Sequence, residues 1–226
     1  MTAKRSMPPM SSTHESTNLF LDGPVGKLEA ALWSPIEAAP AFAALVCHPH
    51  PLFGGTMHNK VVFQAAKAMD ALGVAVLRFN FRGAGSSEGR YDRGEGERDD
   101  VRAALDFLTE EFPETPLLLA GFSFGCWVGL RAGCEDVRVE KLIGIGAPVN
   151  NSDFSYLQTC AKPKLFVHGA NDEHGDVSKV RKMVAGLPGE NELAIVEHVD
   201  HFFTGRIEEL GKAIKEWLRP VLPQAR

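Results

Sequence analysis

Several features that would mark a chain of 226 residues for nucleic acid, membrane or an extracellular disulfide framework are missing here. There is no basic surplus. Lys and Arg number 24 against 29 Asp and Glu, for a formal net charge of −5, and a partner such as nucleic acid or an anionic membrane surface requires a basic face. No apolar run approaches the ~20 residues of a membrane-spanning helix. Lys4 and Arg5 near the start are not followed by an apolar segment, so a secretory signal is not expected. Cysteine is sparse: Cys47, Cys126, Cys134 and Cys160 are the only four, and no two of them form a C-x-x-C pair. That excludes the usual zinc and dithiol spacings and points to free thiols in a reducing compartment, with the cytoplasm as the expected location. No internal repeat is visible and no linker divides the chain.

What is present is apolar residues in quantity, 44% of the chain, enough to bury a core without disulfides or metals. Residues 1–16 are polar and aperiodic and read as a loosely attached tail, leaving 17–226 as a single domain. Leu19 to Leu21 and Lys27 to Trp33, separated by Asp22-Gly23-Pro24-Val25-Gly26, predict an antiparallel hairpin. Six continuous apolar runs follow, at Phe42–Cys47, Val74–Phe79, Leu117–Ala120, Leu142–Ile145, Leu165–Val167 and Leu193–Val196. Continuous rather than alternating apolarity is the mark of a strand covered on both faces. Between the runs, apolar residues recur with helical period, as in Val62, Ala65, Ala66, Met69 and Leu72, or Val101, Ala104, Leu105, Leu108 and Phe112. Shorter stripes are Val177, Val180 and Val184, then Ile207, Leu210, Ile214, Trp217 and Leu218. The alternation predicts an α/β fold with a mostly parallel sheet and helices on both faces. The stretch 147–163 is too short to hold a separate lid domain.

Chemistry is sought in the loops at the carboxyl ends of such strands. After the Leu117 strand stands Gly121-Phe122-Ser123-Phe124-Gly125, with a helix-compatible segment from Cys126 to Ala132 behind it. A Gly-x-Ser-x-Gly turn between strand and helix presents its serine as a nucleophile. After the Leu165 strand stands His168-Gly169-Ala170-Asn171-Asp172, and after the Leu193 strand Glu197-His198-Val199-Asp200-His201-Phe202-Phe203. A serine hydroxyl needs an adjacent base, a histidine titrates in the right range to serve, and a carboxylate fixes the imidazole tautomer. Order alone leaves Glu173 and Asp176 as rival acids and His198 as a rival base.

Taken together these motifs, with His48-Pro49-His50-Pro51-Leu52-Phe53-Gly54-Gly55 and Arg78-Phe79-Asn80-Phe81-Arg82-Gly83-Ala84-Gly85, resemble the α/β-hydrolase superfamily. The resemblance is to its small lidless bacterial members, dienelactone-hydrolase-like or CocE/NonD-like. It implies an α/β-hydrolase fold with the N-terminal antiparallel hairpin and no lid domain. It also implies a catalytic triad of Ser123, Asp172 and His201, the last two matching the family positions against their neighbours. The His48 segment becomes the oxyanion loop: the Phe124 N–H supplies one donor, and His50 or Leu52 the second, since Pro51 has no N–H. Phe53, Phe122 and Phe202 are the expected pocket residues, with Phe124 and Phe203 also expected to face the site.

The expected activity is that of a serine esterase of carboxylesterase type, cleaving a small or medium ester through an acyl-enzyme. The same machinery would serve a thioesterase, lactone hydrolase, perhydrolase or peptidase, and a binding protein with a lapsed site is the non-enzymatic alternative. No metal or organic cofactor is implied. The pair His48 and His50, with His58 near, lacks a carboxylate or cysteine companion at ligand spacing. Gly83-Ala84-Gly85-Ser86-Ser87-Glu88-Gly89 misses the dinucleotide spacing and is expected to border the site instead. Arg82 and Arg90 are expected in structural ion pairs, with steering of an anionic substrate as the alternative. The implied partner is a small-molecule ester, with no nucleic acid and no membrane span; monomer and homodimer are left open.

Overall fold

The computed structural model describes residues 14–36 and 38–222. Eight strands form one sheet in the order β1-β2-β4-β3-β5-β6-β7-β8. β1 (His14–Gly23) and β2 (Gly26–Pro35) make the antiparallel hairpin, and β2 runs antiparallel to β4 (Ala75–Phe79). The other pairings, among β4, β3 (Ala43–Cys47), β5 (Leu117–Phe122), β6 (Val139–Ile145), β7 (Lys164–Gly169) and β8 (Asn191–Val196), are all parallel. The tail expected over 1–16 falls outside the described residues as far as residue 13, while His14, Glu15 and Ser16 pair with Pro35, Ser34 and Trp33 in the hairpin.

Each continuous run divides by strand alternation between two cores. Ala43, Leu45 and Cys47 of β3 and Leu117 and Leu119 of β5 pack with α2 (Glu95–Glu111), α3 (Phe124–Glu135) and α4 (Val177–Ala185). Ala44 and Val46, with Leu118, Ala120 and Phe122, pack on the other face with α1 (Lys60–Asp70) and α5 (Ile207–Leu218). In α5, Leu210, Ile214 and Leu218 repeat at four-residue spacing and are all fully buried. Each such side chain contributes about 1.5–3 kcal/mol of transfer free energy, which makes this stripe the anchor of the C-terminal helix.

The segment 82–100 carries the departures from the sequence expectations. The charged stretch from Tyr91 to Asp100 is helical from Glu95 onward. The buried Glu97 carboxylate satisfies the helix start by accepting from the N–H groups of Asp92 (2.8 Å) and Gly94 (2.7 Å). The glycine-rich loop 83–89, expected beside the site, instead packs under the β1–β2 hairpin. Glu88 N–H donates to the Lys27 carbonyl, Ser86 N–H to Glu29, and Ser87 Oγ to the Asn80 carbonyl. Arg82 lies in a buried pair, its backbone N–H, Nε and Nη2 all donating to Asp100 at 2.7–3.0 Å. Arg90 differs from the expectation: it is exposed and makes no ion pair among the described residues.

Between β6 and β7, residues 147–163 form a loop and a single 3-10 turn over Ser155–Thr159, so no lid covers the carboxyl end of the sheet. No described helix is long and apolar enough to cross a membrane. All four cysteines are free, with Cys134 half-buried and the other three buried.

Candidate active site

Ser123 sits between β5 and α3 at φ 55°, ψ −116°, a conformation that costs a non-glycine residue about 1–3 kcal/mol. Its surroundings enforce the strain. Its N–H donates to the Ile145 carbonyl (2.9 Å), and its carbonyl accepts from Trp127 N–H (3.1 Å). The serine itself therefore takes the positive φ, and the flanking glycines serve a different need, that of close approach. A Cβ on Gly121 would fall 2.2 Å from the Gly125 carbonyl oxygen, and one on Gly125 would fall 2.5 Å from that of Cys47. The turn can be that tight only with hydrogen at both positions.

Asp172 and His201 meet in the loops after β7 and β8. His201 Nδ1 lies 2.7 Å from Asp172 Oδ2, and both side chains are almost wholly buried. Asp172 Oδ1 accepts from the N–H groups of His174 (2.8 Å) and Gly175 (3.1 Å). Burial pushes the Asp172 carboxyl upward, but the His201 hydrogen bond, the His201 and His168 rings and the His174 N–H outweigh it. The carboxyl is held below its ordinary range. An ionised carboxylate only accepts, so Nδ1 of His201 carries the hydrogen and Nε2 is left as the basic atom. Gly146 lets the ring sit close: a Cβ there would be 3.1 Å from His201 Cε1. His168 holds the loop from beneath, its Nε2 donating to the Gly175 carbonyl at 2.6 Å.

The rival groups are engaged elsewhere. Asp176 caps α4 through the N–H groups of Ser178 and Lys179, Glu173 lies exposed beside His174, and His198 is exposed and does not line the cavity.

Ser123 and His201 both line a cavity of about 610 Å³, together with His50, Phe53, Phe124 and Phe202. No hydrogen bond joins Ser123 to His201 among the described residues; such contacts commonly tighten only when substrate is bound. Of the expected pocket residues, Phe122 lies elsewhere. It closes β5, follows Leu118 and Ala120 onto the α1–α5 face, and is fully buried with its ring 4.8 Å from that of His201. It supports the histidine from behind. Phe203 is likewise core, whereas Phe202 is 39% exposed at the mouth.

The loop after β3 contributes through its backbone and one ring. His48 is fully buried, accepts from Phe81 N–H through Nε2 (2.9 Å) and donates from Nδ1 to the Pro49 carbonyl (2.6 Å). Burial lowers its pKa to about 4, and with both nitrogens occupied it has no lone pair for a metal. Leu52 corrects another expectation: its N–H donates to His50 Nδ1 (3.2 Å) and its side chain is exposed outside the cavity. The N–H groups of His50 and Phe124 have no partner among the described residues. The His50 ring stands 4.7–4.9 Å from Phe53, Tyr91 and Phe124, building an aromatic wall.

Sequence reasoning missed Asn59, Tyr91, Arg93, Pro148, Asn151, Ser152, Asp153 and His174, all of which line the cavity. They lie on irregular segments with no periodicity to locate them. Trp127 fixes the 147–153 loop by donating from Nε1 to the Asp153 carbonyl at 2.9 Å.

A lidless, mostly parallel sheet with a serine elbow after its fifth strand defines an α/β hydrolase. The family described as serine aminopeptidase, S33, matches residues 43–162, and the chain belongs to this family of the α/β-hydrolase superfamily. It is similar to an uncharacterised protein of Rickettsia prowazekii, at 37% identity over 88% of this chain and 87% of that one. Among solved structures it resembles a lidless α/β serine hydrolase from Xanthomonas campestris, at 39% identity, 97% and 100% coverage and a TM-score of 0.87. It also resembles an α/β serine hydrolase homologue from Coxiella burnetii, at 38% identity, 89% and 97% coverage and a TM-score of 0.84.

Proposed function

We propose that this protein is a carboxylesterase-type serine hydrolase that cleaves a small or medium ester through an acyl-enzyme. The observation that carries the reading is the buried Asp172–His201 pair opening onto the same cavity as a strained, exposed-facing serine. Ser123 Oγ adds to the ester carbonyl while His201 Nε2 takes its proton. The Phe124 N–H and, since Leu52 is engaged, the His50 N–H receive the oxyanion; each such donor contributes on the order of 3 kcal/mol to lowering the barrier. Collapse of the tetrahedral intermediate breaks the bond to the alcohol oxygen, which leaves with the proton from His201. Water, deprotonated by the same nitrogen, then releases the acid and restores Ser123.

The cavity supports a small-molecule partner, and the mouth, without a lid, supports short acyl chains. The cytoplasm is the proposed location, in keeping with four free thiols. Neither the fold nor the anionic charge suggests a nucleic-acid partner.

The test is labelling by a fluorophosphonate, expected on the native protein and absent in Ser123→Ala. Native protein that takes up no label overturns the hydrolase reading in favour of a lapsed binding site. A panel of p-nitrophenyl esters of increasing chain length, with thioesters, lactones and aminoacyl amides beside them, then fixes the bond cleaved. Highest kcat/KM on short esters is the expected result. Preference for an aminoacyl amide would move the assignment to a peptidase, the activity in the family's description.

A further inference from the structure

Among the described residues that line the cavity, two carry a full charge, Asp153 and Arg93. Asp153, the lining carboxylate, is engaged: Oδ1 accepts from Ser155 N–H (2.8 Å) and Oδ2 from Ser155 Oγ–H (2.7 Å). Arg93 also lines the cavity, is exposed, and makes no ion pair or hydrogen bond among the described residues. Its backbone is unusual. Arg93 has φ 56° and is followed by Gly94 at φ 93°, so two successive residues lie in the left-handed region. Glycine or asparagine would occupy the first of these at less cost than arginine.

The turn is held from below by one buried group. The carboxylate of Glu97, wholly inaccessible, accepts from the N–H on each side of Arg93, that of Asp92 at 2.8 Å and that of Gly94 at 2.7 Å. Gly94 is pressed against the cavity-lining Trp127, whose ring would lie 2.7 Å from a Cβ there. A strained arginine is thus fixed at the cavity by core packing, beside the aromatic wall of Tyr91, Phe124 and Trp127. Strained backbone persists only where the surrounding structure over-determines it, and such residues cluster at ligand sites.

We propose that Arg93 makes the cavity selective for esters carrying a carboxylate on an aromatic or apolar body. The inference rests on the hydrolase reading of Ser123, Asp172 and His201. The guanidinium is a planar fork that matches a carboxylate with two parallel hydrogen bonds, and the aromatic wall accepts the body between the fork and the serine. Arg93 is a specificity residue and takes no part in the proton transfers.

The experiment compares 3- and 4-acetoxybenzoate with the neutral isostere 4-acetoxybenzamide, following release of the phenol. The native protein is expected to favour the better-placed carboxylate about tenfold in kcat/KM, chiefly through KM, as for one charge-assisted contact at a solvated rim. Arg93→Gln brings the ratio close to one, Arg93→Lys keeps an intermediate ratio, and raising the salt to about 0.5 M shrinks the native ratio. A readout without turnover accompanies it: 4-hydroxybenzoate raises the Tm of Ser123→Ala but not that of Ser123→Ala with Arg93→Gln. Hydrolysis of the amide with no preference for either carboxylate, or a preference that survives Arg93→Gln, overturns this inference and leaves the hydrolase reading intact. Native protein that hydrolyses none of the three and takes up no fluorophosphonate overturns the hydrolase reading, and this inference with it.

Discussion

Two buried histidines at the carboxyl ends of strands, one after β3 and one after β8, show what separates a structural imidazole from the one proposed as the base. His48 has a backbone group on each ring nitrogen, Phe81 N–H on one and the Pro49 carbonyl on the other. Nothing is left to react, and burial without a counter-charge drives the ring to the neutral form, with a pKa of about 4. His201 is as deeply buried, but its Nδ1 meets the carboxylate of Asp172 and its ring edge lines the cavity. Burial is common to both. The difference is the charge beside one nitrogen and the vacancy beside the other.

The largest test of this contrast is removal of the reactive ring. His201→Gln is expected to lower kcat/KM on a p-nitrophenyl ester by about 10⁴-fold or more, since proton transfer disappears, and to cost stability as well, since the buried Asp172 carboxylate loses its imidazole partner. Asp172→Asn should come close behind, at about 10³–10⁴-fold, because the amide no longer selects the tautomer that leaves Nε2 basic. Retention of activity in either variant would break the proposed distinction.

His48→Gln should show the stability effect alone. Leaving the Phe81 N–H or the Pro49 carbonyl imperfectly paired costs about 1–3 kcal/mol, read as a fall of several degrees in Tm, with a far smaller effect on turnover than His201→Gln. The acid response sharpens the same point. Because the folded pKa of His48 lies below the unfolded value, the unfolded chain binds the extra proton first, between pH 6.5 and about 4. Stability should therefore fall as pH drops through that window, by on the order of 3 kcal/mol from this residue. Asp172 adds to the decline lower down: its depressed carboxyl contributes stability above the ordinary carboxylate range and loses it as pH falls through the folded pKa. His48→Gln should flatten the upper part of that decline in urea titrations at stepped pH. The smallest effect is expected for His198→Asn. That exposed residue sits at φ 61°, which asparagine tolerates, and the change should stay within about 0.5 kcal/mol and leave kcat/KM unaltered.

Much of this architecture is legible in the sequence because it rests on periodicity. Continuous runs such as Phe42–Cys47 mark strands buried on both faces, and Leu210, Ile214 and Leu218 mark the buried stripe of α5. The residues now proposed as the triad are legible because each follows a strand. The side of the sheet is also written in the alternation, although it is easily overlooked. Phe122 shares the face of Leu118 and Ala120, so it belongs behind His201, while Phe124 begins a helix on the opposite face. The cavity wall is different. Arg93, Asn151, Asp153 and His174 lie on turns whose paths are set by distant groups, such as the Glu97 carboxylate and the Trp127 indole. No local pattern encodes such dependence.

The order of the strands has a consequence for how the site comes apart. Ser123 follows β5, which is bordered by β3 and β6, whereas His201 follows β8, the outermost strand of its side, bonded only to β7. Breaking the elbow requires loss of the central ladder and so of the whole fold. Detaching β8 requires loss of only the β7 ladder and of the packing of α4 and α5 against it. Amide exchange should accordingly show the backbone of β8 opening at a lower free energy than that of β5. Mild denaturant would then abolish the proposed activity, by carrying off His201, before the core beneath Ser123 melts.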